Sequence, residues 1–503
     1  MKEISVGGPP PLATYAYDLN GNRITKTLEN GTTASYIYDN ASQLTRVKHM
    51  KSASTIAQFD YTLNAVENRT AKNASAAIPN VNESYSYDAI DQVTAVSKPG
   101  DAQTFAYDPI GNRTAVTSTG SSPGVGSYTT NALNQYTAAA GDVLLYDTKG
   151  NLTTQGLSAS YNYDSKNRLL GATKGSNTML VSYDYRNRPV SRSINGTATY
   201  FIYDDWSLIG ECNVSGALLQ KYIHGVNIDE ILAKIDSTGT VFYHQDGLGS
   251  TVALTNSSGA LAESYQYDVF GKVIISDNSG SPIANSAYSN RFMFTGREWI
   301  AEVGLYDYRN RVYSADLGRF IQTDPIRFDA GDVNLYRYVS NNPINFVDPL
   351  GLETAVQIGM GTGATRNPFG HSAVATSGQG VHSFGTGTDQ GSSFSDYMNS
   401  QAAYRDSMVY VLPTTPEQEK AINDYLNGLT DKLPKVPGKD SGDNCASRTS
   451  EALKKAGLDV GENGTPAELQ RALEKMVKDG NGLRFSVPKG STPSDAWKTF
   501  NRP

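Results

Sequence analysis

The sequence is poor in cysteine, has no long apolar run and carries no excess of positive charge. Its 503 residues include only two cysteines, Cys212 and Cys445, which excludes a disulfide scaffold and a cysteine-based zinc site. No apolar run reaches the ~18 residues of a membrane-spanning helix. The first residues lack the apolar segment of a secretory signal peptide. The net charge of -7 gives no reason to expect a nucleic-acid-binding surface.

Tyrosine, in contrast, is abundant and unevenly distributed. All but four of the 31 tyrosines precede residue 353. Tyr-Asp pairs recur, several of them 20 or 21 residues apart, and they begin at Tyr17, Tyr38, Tyr87, Tyr107, Tyr146, Tyr163, Tyr183, Tyr203 and Tyr267. The chain therefore divides into a tyrosine-rich repeat array and a different C-terminal part, joined near residue 352.

Each repeat unit has the pattern of a β-hairpin. In one unit, Phe105 and Tyr107 flank a small residue, which is typical of a strand with one aromatic face. Asp, Gly and Asn then favour a turn, because Asp and Asn side chains bond nearby backbone groups and Gly and Asn tolerate positive φ. A second short strand follows from Arg113. One hairpin cannot bury its own aromatic face, so we expect the units to stack; an ordinary β-sandwich is the alternative.

The repeats resemble the Rhs/YD-repeat family over about residues 10–352. The resemblance is strongest in FTGREWIAEVGLYDYRNRVYSADLGRFIQTDP and NLYRYVSNNPINFVDPLGL. It implies a mainly β fold with three parts: YD repeats at 1–285 that form a β-hairpin spiral or shell, a repeat-associated core at 286–352, and a toxin domain at 353–503. The shell of such proteins encloses the toxin.

The same resemblance implies a role in competition between bacteria. The toxin would be secreted or delivered into a target cell by a machinery such as the type VI system. A cognate immunity protein would protect the producing cell.

Two Asp-Pro pairs, which begin at Asp324 and Asp348, suggest self-cleavage. Two carboxylates brought close together cannot both ionise readily, so one holds a proton while the other can activate water. Asp332 is a second candidate partner for Asp348, because spacing does not decide between it and Asp324. The alternative is that the Asp-Pro pairs only form turns.

The family resemblance adds a cleavage position. Rhs cores cut their own chain after D-P-x-G-L, which corresponds here to the bond between Leu352 and Glu353. Arg319 matches a family arginine that could hold one of the carboxylates by a charge-assisted hydrogen bond.

Helix signals appear after Leu352. Thr415-Pro416 and Thr465-Pro466 each combine an N-cap residue with a proline at the first helical position. Between them, Asp443 can cap a helix that ends at Gly457. Upstream, GHSAVAT and GVHSFG flank SGQG as a hairpin. The pattern predicts a small α+β domain.

Cys445 begins the middle predicted helix, and a helix N-terminus favours thiolate over thiol. A nearby imidazole would favour the thiolate further and then protonate the leaving group. His371 shares a strand face with Ala373 and Ala375, small residues that would let the helix approach. His382 on the paired strand could orient the first imidazole. The alternatives are an inert buried cysteine and a zinc site, which would lack a fourth ligand.

The order His, His, Cys resembles the permuted papain-like enzymes, namely the permuted NlpC/P60 and lecithin:retinol acyltransferase-like proteins, over about residues 365–460. This resemblance implies a thiol hydrolase or acyltransferase, in which Cys445 attacks a carbonyl, His371 transfers the proton, and a helix-start N–H stabilises the oxyanion. Its substrates would be peptidoglycan amides or lipid acyl groups, with no cofactor, no metal and no nucleic-acid partner. Two other hypotheses remain: a non-catalytic cell-surface repeat protein, and an Rhs toxin whose tip has another chemistry, such as a nuclease.

Overall fold

The computed structural model divides the chain into two units, residues 1–323 with 336–349 and residues 324–335 with 350–503. It describes residues 2–6, 11–19, 22–75, 82–120, 124–204, 206–325 and 333–348. In the C-terminal part it describes 353–359, 371–376, 380–382, 397, 407–414, 416–427, 445–458, 460, 466–478 and 483–487.

The first unit is a long antiparallel meander. Among its described residues, 28 strands form one sheet in which each strand pairs with its neighbour along the chain. The strands are β1 Lys2–Val6, β2 Ala13–Tyr17, β3 Arg23–Leu28, β4 Thr32–Tyr38, β5 Leu44–Lys51, β6 Ser54–Leu63, β7 Arg69–Ser75, β8 Glu83–Tyr87, β9 Val93–Lys98, β10 Asp101–Tyr107, β11 Arg113–Ser118, β12 Gly126–Thr130, β13 Tyr136–Ala139, β14 Asp142–Tyr146, β15 Leu152–Gln155, β16 Ala159–Tyr163, β17 Leu169–Lys174, β18 Asn177–Tyr183, β19 Pro189–Ile194, β20 Thr197–Asp204, β21 Ser207–Cys212, β22 Leu218–His224, β23 Ile231–Asp236, β24 Gly239–Gln245, β25 Thr251–Thr255, β26 Leu261–Tyr267, β27 Val273–Asp277 and β28 Pro282–Ile283.

The repeat unit has the predicted hairpin form. Between β10 and β11, the Asp108 carboxylate accepts the backbone N–H groups of Ile110 and Asn112 at 2.9 and 2.8 Å, and the Asn112 amide donates to its second oxygen at 2.9 Å. Gly111 takes a φ of 76°, which favours glycine at this place in the turn. Asp, Gly and Asn therefore recur because together they close one turn, and the prediction from the repeat is confirmed.

The aromatic faces are buried where early strands meet late ones. Tyr15 on β2 packs in one cluster with Leu232 on β23 and Phe242 on β24. Phe59 on β6 packs in another cluster with Val252 on β25. The meander therefore folds back on itself, and stacking buries the face that a single hairpin leaves open.

A second, four-stranded sheet completes this unit. Its strands are β29 Glu298–Ile300, β30 Leu305–Tyr308, β31 Arg311–Ser314 and β32 Arg319–Phe320. They bury Tyr308, Tyr313 and Phe320 against one another, with ring centroids 5.4 to 5.8 Å apart in edge-on arrangements. Such edge-to-face pairs stabilise a core beyond the area that they bury.

The second unit contains a small antiparallel sheet and three described helices. Its five described strands are antiparallel and lie in the order β35–β34–β33–β36–β37. Their bounds are β33 Glu353–Gly359, β34 His371–Thr376, β35 Gly380–His382, β36 Ser407–Pro413 and β37 Leu483–Val487, and the described helices are α1 Pro416–Asn427, α2 Cys445–Lys455 and α3 Pro466–Lys478.

Local signals set these elements. Pro416 and Pro466 are the first residues of α1 and α3, as expected of proline at the first helical position. Gly457 follows α2 with a φ of 75°, as expected of a C-terminal glycine. None of the helices that the structure describes is long and apolar enough to cross a membrane.

Candidate functional site

Part of the segment that holds the predicted cleavage residues contacts the turns of the repeats. Arg319 is buried, and its guanidinium donates to the Asn134 carbonyl at 2.8 Å and to the Asn112 side-chain oxygen at 3.1 Å. It also lies 3.4 Å from the ring centroid of Tyr136. Arg319 therefore joins two successive repeat turns.

Other side chains of the same segment contact further turns. The Asn341 amide donates to the Gly111 carbonyl at 2.8 Å, and the Tyr336 hydroxyl donates to the Gly150 carbonyl at 2.7 Å. These residues lie in the NLYRYVSNNPINF string and were not predicted to have this role. The high asparagine and tyrosine content of this string was the available signal.

Asp348 is held by an arginine that the sequence did not indicate. Arg311 on β31 donates to its carboxylate at 3.0 Å, and both side chains are buried. The Arg311 guanidinium also lies 3.6 Å from the ring centroid of Phe320. The expected pairing of Arg319 with a carboxylate is thus corrected: Arg319 binds Asn134 and Asn112, and Arg311 holds Asp348.

The remaining cleavage residues are described only in part. Asp324 is buried, and its backbone N–H donates to the Leu335 carbonyl at 2.9 Å. Asp332 and Leu352 lie outside the described residues. Glu353 is the first residue of β33, the central strand of the C-terminal sheet, where its backbone pairs with Pro413. The meeting of Asp348 with a second carboxylate stays a prediction.

Helix α2, which begins at Cys445, lies against strand β34, which begins at His371. Ala373 and Ala375 on β34 and Ala446 on α2 are buried. This agrees with the expectation that small residues let the helix approach the strand. The side chains of Cys445 and His371 are outside the described part of the structure, so only their backbone positions are known.

The strand register separates the two C-terminal histidines. Val374 pairs with His382, and Ala375 pairs with Val381. Directly opposite residues of an antiparallel pair lie on one face, and successive residues of a strand alternate between faces. His382 is therefore on the face of Val374, whereas His371 is on the other. This register does not favour the predicted role of His382 in orienting His371, which stays a prediction.

The described residues contain no group of three or more His, Cys, Asp or Glu that could hold a metal ion.

Comparisons with known proteins match mainly the repeat part. Residues 66–344 match the family model Teneurin YD-shell, and residues 17–49 match the model RHS Repeat. Among solved structures, the TcdB2-TccC3-Cdc42 complex has a TM-score of 0.56 at 19% identity and covers 67% of this chain and 19% of that chain. A Tc holotoxin pore from Photorhabdus luminescens gives the same values. At this identity the likeness shows the fold alone.

Two curated relatives are toxins or nucleases by name. The tRNA3(Ser)-specific nuclease WapA of Bacillus spizizenii is 30% identical over 229 residues, which are 44% of this chain and 10% of the relative. The Double-stranded DNA deaminase toxin A of Burkholderia cenocepacia is 28% identical over 250 residues, 42% of this chain and 17% of the relative. The chain spans about a tenth of the length of the first relative. Each alignment is longer than the sequence after Leu352, so it includes repeats.

Proposed function

We propose that this chain, which belongs to the Teneurin YD-shell family, presents and releases a C-terminal toxin domain. The observation that carries the proposal is the change of architecture at Glu353, from a meander of repeats to a separate five-stranded sheet with helices. The repeats would enclose the domain, a delivery machinery would carry it to a target cell, and a cognate immunity protein would protect the producer.

Self-cleavage between Leu352 and Glu353 would release the domain. Asp348 would act as the base that activates water, oriented by Arg311, and Asp324 or Asp332 would supply the proton to the leaving amine. The position of Glu353 supports this bond, because a cut before the first residue of β33 leaves all five described strands in the released domain.

The first candidate for the toxin chemistry is a cysteine hydrolase or acyltransferase. Cys445 at the start of α2 would attack a carbonyl, and His371 on the neighbouring strand β34 would transfer the proton. The substrate would be a peptidoglycan amide or a lipid acyl group. The contact between α2 and β34 supports this pair.

The second candidate is an enzyme that acts on nucleic acid. It is favoured by the names of two relatives, a tRNA-specific nuclease and a double-stranded DNA deaminase toxin. Under this hypothesis Cys445 is a packing residue and the expected absence of a nucleic-acid partner fails.

The cleavage step is tested on the full chain. We expect purified wild type to run on a denaturing gel as two products, and Asp348→Asn and Arg311→Met to run as one band of 54.2 kDa. Asp277→Asn is the matched control, because Asp277 is an aspartate of an exposed repeat turn, and this variant should cleave normally. An uncleaved wild type would contradict the proposed release.

The toxin chemistry is tested on residues 353–503 produced in the bacterial cytoplasm or periplasm. The thiol mechanism predicts that Cys445→Ala and His371→Ala abolish toxicity and that His382→Ala does not. Toxicity confined to the periplasm would favour a peptidoglycan substrate. Undiminished toxicity of Cys445→Ala, with cleaved tRNA or deaminated DNA in the cells, would reject the thiol mechanism in favour of the second candidate.

A further inference from the structure

Two histidines meet inside the first unit, although they are 195 residues apart in the chain. His49 lies on β5 and His244 on β24, and both are fully buried. Their Nδ1 atoms are 3.3 Å apart, and their rings meet edge-on with centroids 5.0 Å apart. The pair therefore links an early strand of the meander to a late one.

The hydrogen bonds of the pair are all satisfied when both rings are neutral. The Gln245 carbonyl can only accept, so Nε2 of His49 donates to it, at 2.8 Å. Nδ1 of His49 then accepts from Nδ1 of His244, and Nε2 of His244 accepts from the Thr255 hydroxyl at 2.9 Å. The Thr255 oxygen in turn accepts from the Asn30 amide at 2.9 Å. A proton added to either ring would convert an acceptor into a donor that faces another donor.

The charges around the pair oppose protonation as well. Lys26 on β3 is buried and donates to Glu230 at 3.1 Å and to the Gln245 side chain at 3.2 Å. Arg23 donates to both oxygens of Glu230, at 2.7 and 3.1 Å. Two cations thus share one carboxylate, and a further positive charge on an imidazole would find no counter-charge among these groups.

The pKa values follow from this burial. Burial, with a smaller effect of Lys26, lowers the pKa of His49 to about 3. Burial, His49 and Lys26 hold the pKa of His244 well below its ordinary value. For Glu230, burial alone would raise the pKa, but Lys26 and Arg23 lower it to about 2, so this carboxylate stays ionised above pH 4. Asp246, the next residue after Gln245, has a pKa raised by burial, so its protonation opposes any acid destabilisation.

We propose that this cluster is an acid-sensitive clasp of the first unit, by which we mean a contact between its early and late strands that opens on protonation. We call Lys26, His49, Glu230, His244, Gln245 and Thr255 the polar seam. Above about pH 6.5 the two imidazoles are neutral and hold β3 and β5 against β24 and β25. In more acidic surroundings, proton uptake by the imidazoles favours the state in which the polar seam is open, because only there can both rings be solvated as cations. Acid would thus open the contact between the early and the late strands.

Hydrogen exchange of the full chain at pH 7.5, 6.5 and 5.5 tests the clasp. Protection factors remove the intrinsic pH dependence of exchange. An imidazole in the open state has a pKa of about 6.5. Below that pH, each imidazole that must be neutral in the closed state lowers the equilibrium constant for closing by up to about 10-fold per pH unit. We therefore expect protection in β5 and β24 to fall by up to about 30-fold from pH 6.5 to 5.5, because half of the open-state imidazoles are still neutral at pH 6.5. Strands β16 to β18, far along the meander, should change little. An equal change in both regions, or none, would overturn the proposal.

The double variant His49→Gln, His244→Gln removes both titrating groups and keeps hydrogen-bonding side chains. Protection of β5 and β24 in this variant should no longer fall between pH 6.5 and 5.5. His224→Gln is the matched control, because His224 is a histidine of the same unit that bonds the Leu208 carbonyl instead, and it should respond as wild type does. If the double variant does not fold, either single variant should still show a reduced pH dependence. An unreduced dependence would refute the assignment to these histidines.

Discussion

Replacement of Glu230 by glutamine removes the only negative charge of the polar seam and keeps the shape of the side chain. Glu230 is buried and bonds Arg23 through both oxygens and Lys26 through one. In Glu230→Gln these two cations remain buried without their carboxylate. The variant therefore isolates the electrostatic part of the contact between β3 and the segment before β23.

The size of the effect follows from the pKa of Glu230. Burial alone would raise this pKa, but Lys26 and Arg23 lower it to about 2. Relative to the ordinary value of a glutamate, the lowering corresponds to roughly 3 kcal/mol, since one pKa unit is about 1.4 kcal/mol. Loss of one partner of a buried ion pair costs about 3–5 kcal/mol. We expect Glu230→Gln to lower the free energy of opening of β3 and β23 by about 3 kcal/mol at pH 7.

The pH dependence has a definite sign. Because the pKa of folded Glu230 is depressed, its contribution is complete above about pH 4.5 and is lost as the pH falls toward 2. The difference between wild type and Glu230→Gln should be constant from pH 8 to pH 5 and narrow below pH 4.

Hydrogen exchange of β3 and β23 in urea measures this free energy for the first unit alone. Asp60→Asn is the control, because the ion pair of Asp60 with Arg46 lies in the same unit and is one-third to two-fifths exposed. Such exposed pairs contribute less than about 1 kcal/mol. A loss in Glu230→Gln no larger than that in Asp60→Asn would refute the reasoning.

Two further pairs of substitutions test the packing of the first unit by thermal unfolding. Gly150 and Gly141 both have positive φ, but a Cβ at Gly150 would lie 2.7 Å from the Tyr336 hydroxyl, whereas a Cβ at Gly141 meets no atom within 4 Å. Alanine at either position should destabilise the unit by about 1 kcal/mol, because an L side chain is strained at positive φ. Gly150→Ala should lose roughly 1–3 kcal/mol more because of the clash. Equal losses in the two variants would contradict this. Tyr306 donates to a backbone carbonyl at 2.9 Å, so Tyr306→Phe should cost about 1 kcal/mol. Tyr15→Phe should cost almost nothing, because this hydroxyl has no hydrogen-bond partner among the described residues, and a similar loss in both variants would show that the hydrogen bond is not the cause.

The local features of both units were predictable from the sequence because they depend on neighbouring residues. Asp108, Gly111 and Asn112 close one turn within five residues, so the repeat is visible as a spacing. The starts of α1 and α3 at Pro416 and Pro466 depend on one residue type at one position. Such signals predict hairpins and helices. The aromatic face that each hairpin leaves exposed then predicts that the hairpins stack.

The long-range pairs could not be predicted in this way. Arg23 and Glu230 are 207 residues apart, and their contact exists only because the meander folds back. Arg311 was missed for a similar reason: the arginine that the family motif singles out, Arg319, is bound to two repeat turns, whereas Arg311 holds Asp348. A sequence motif does not show which hydrogen-bond acceptors surround each guanidinium.

The register of β34 and β35 changes the thiol hypothesis without removing its chemistry. The register puts His382 on the opposite strand face from His371, which favours a pair of Cys445 and His371 over a three-residue arrangement. A thiolate and one imidazole can still suffice, because the start of α2 favours the thiolate and the imidazole is needed mainly to protonate the leaving group. His382→Ala therefore separates the two forms of the hypothesis: a Cys445–His371 pair predicts full activity, and a loss of activity would mean that the thiol mechanism uses a geometry other than the described register.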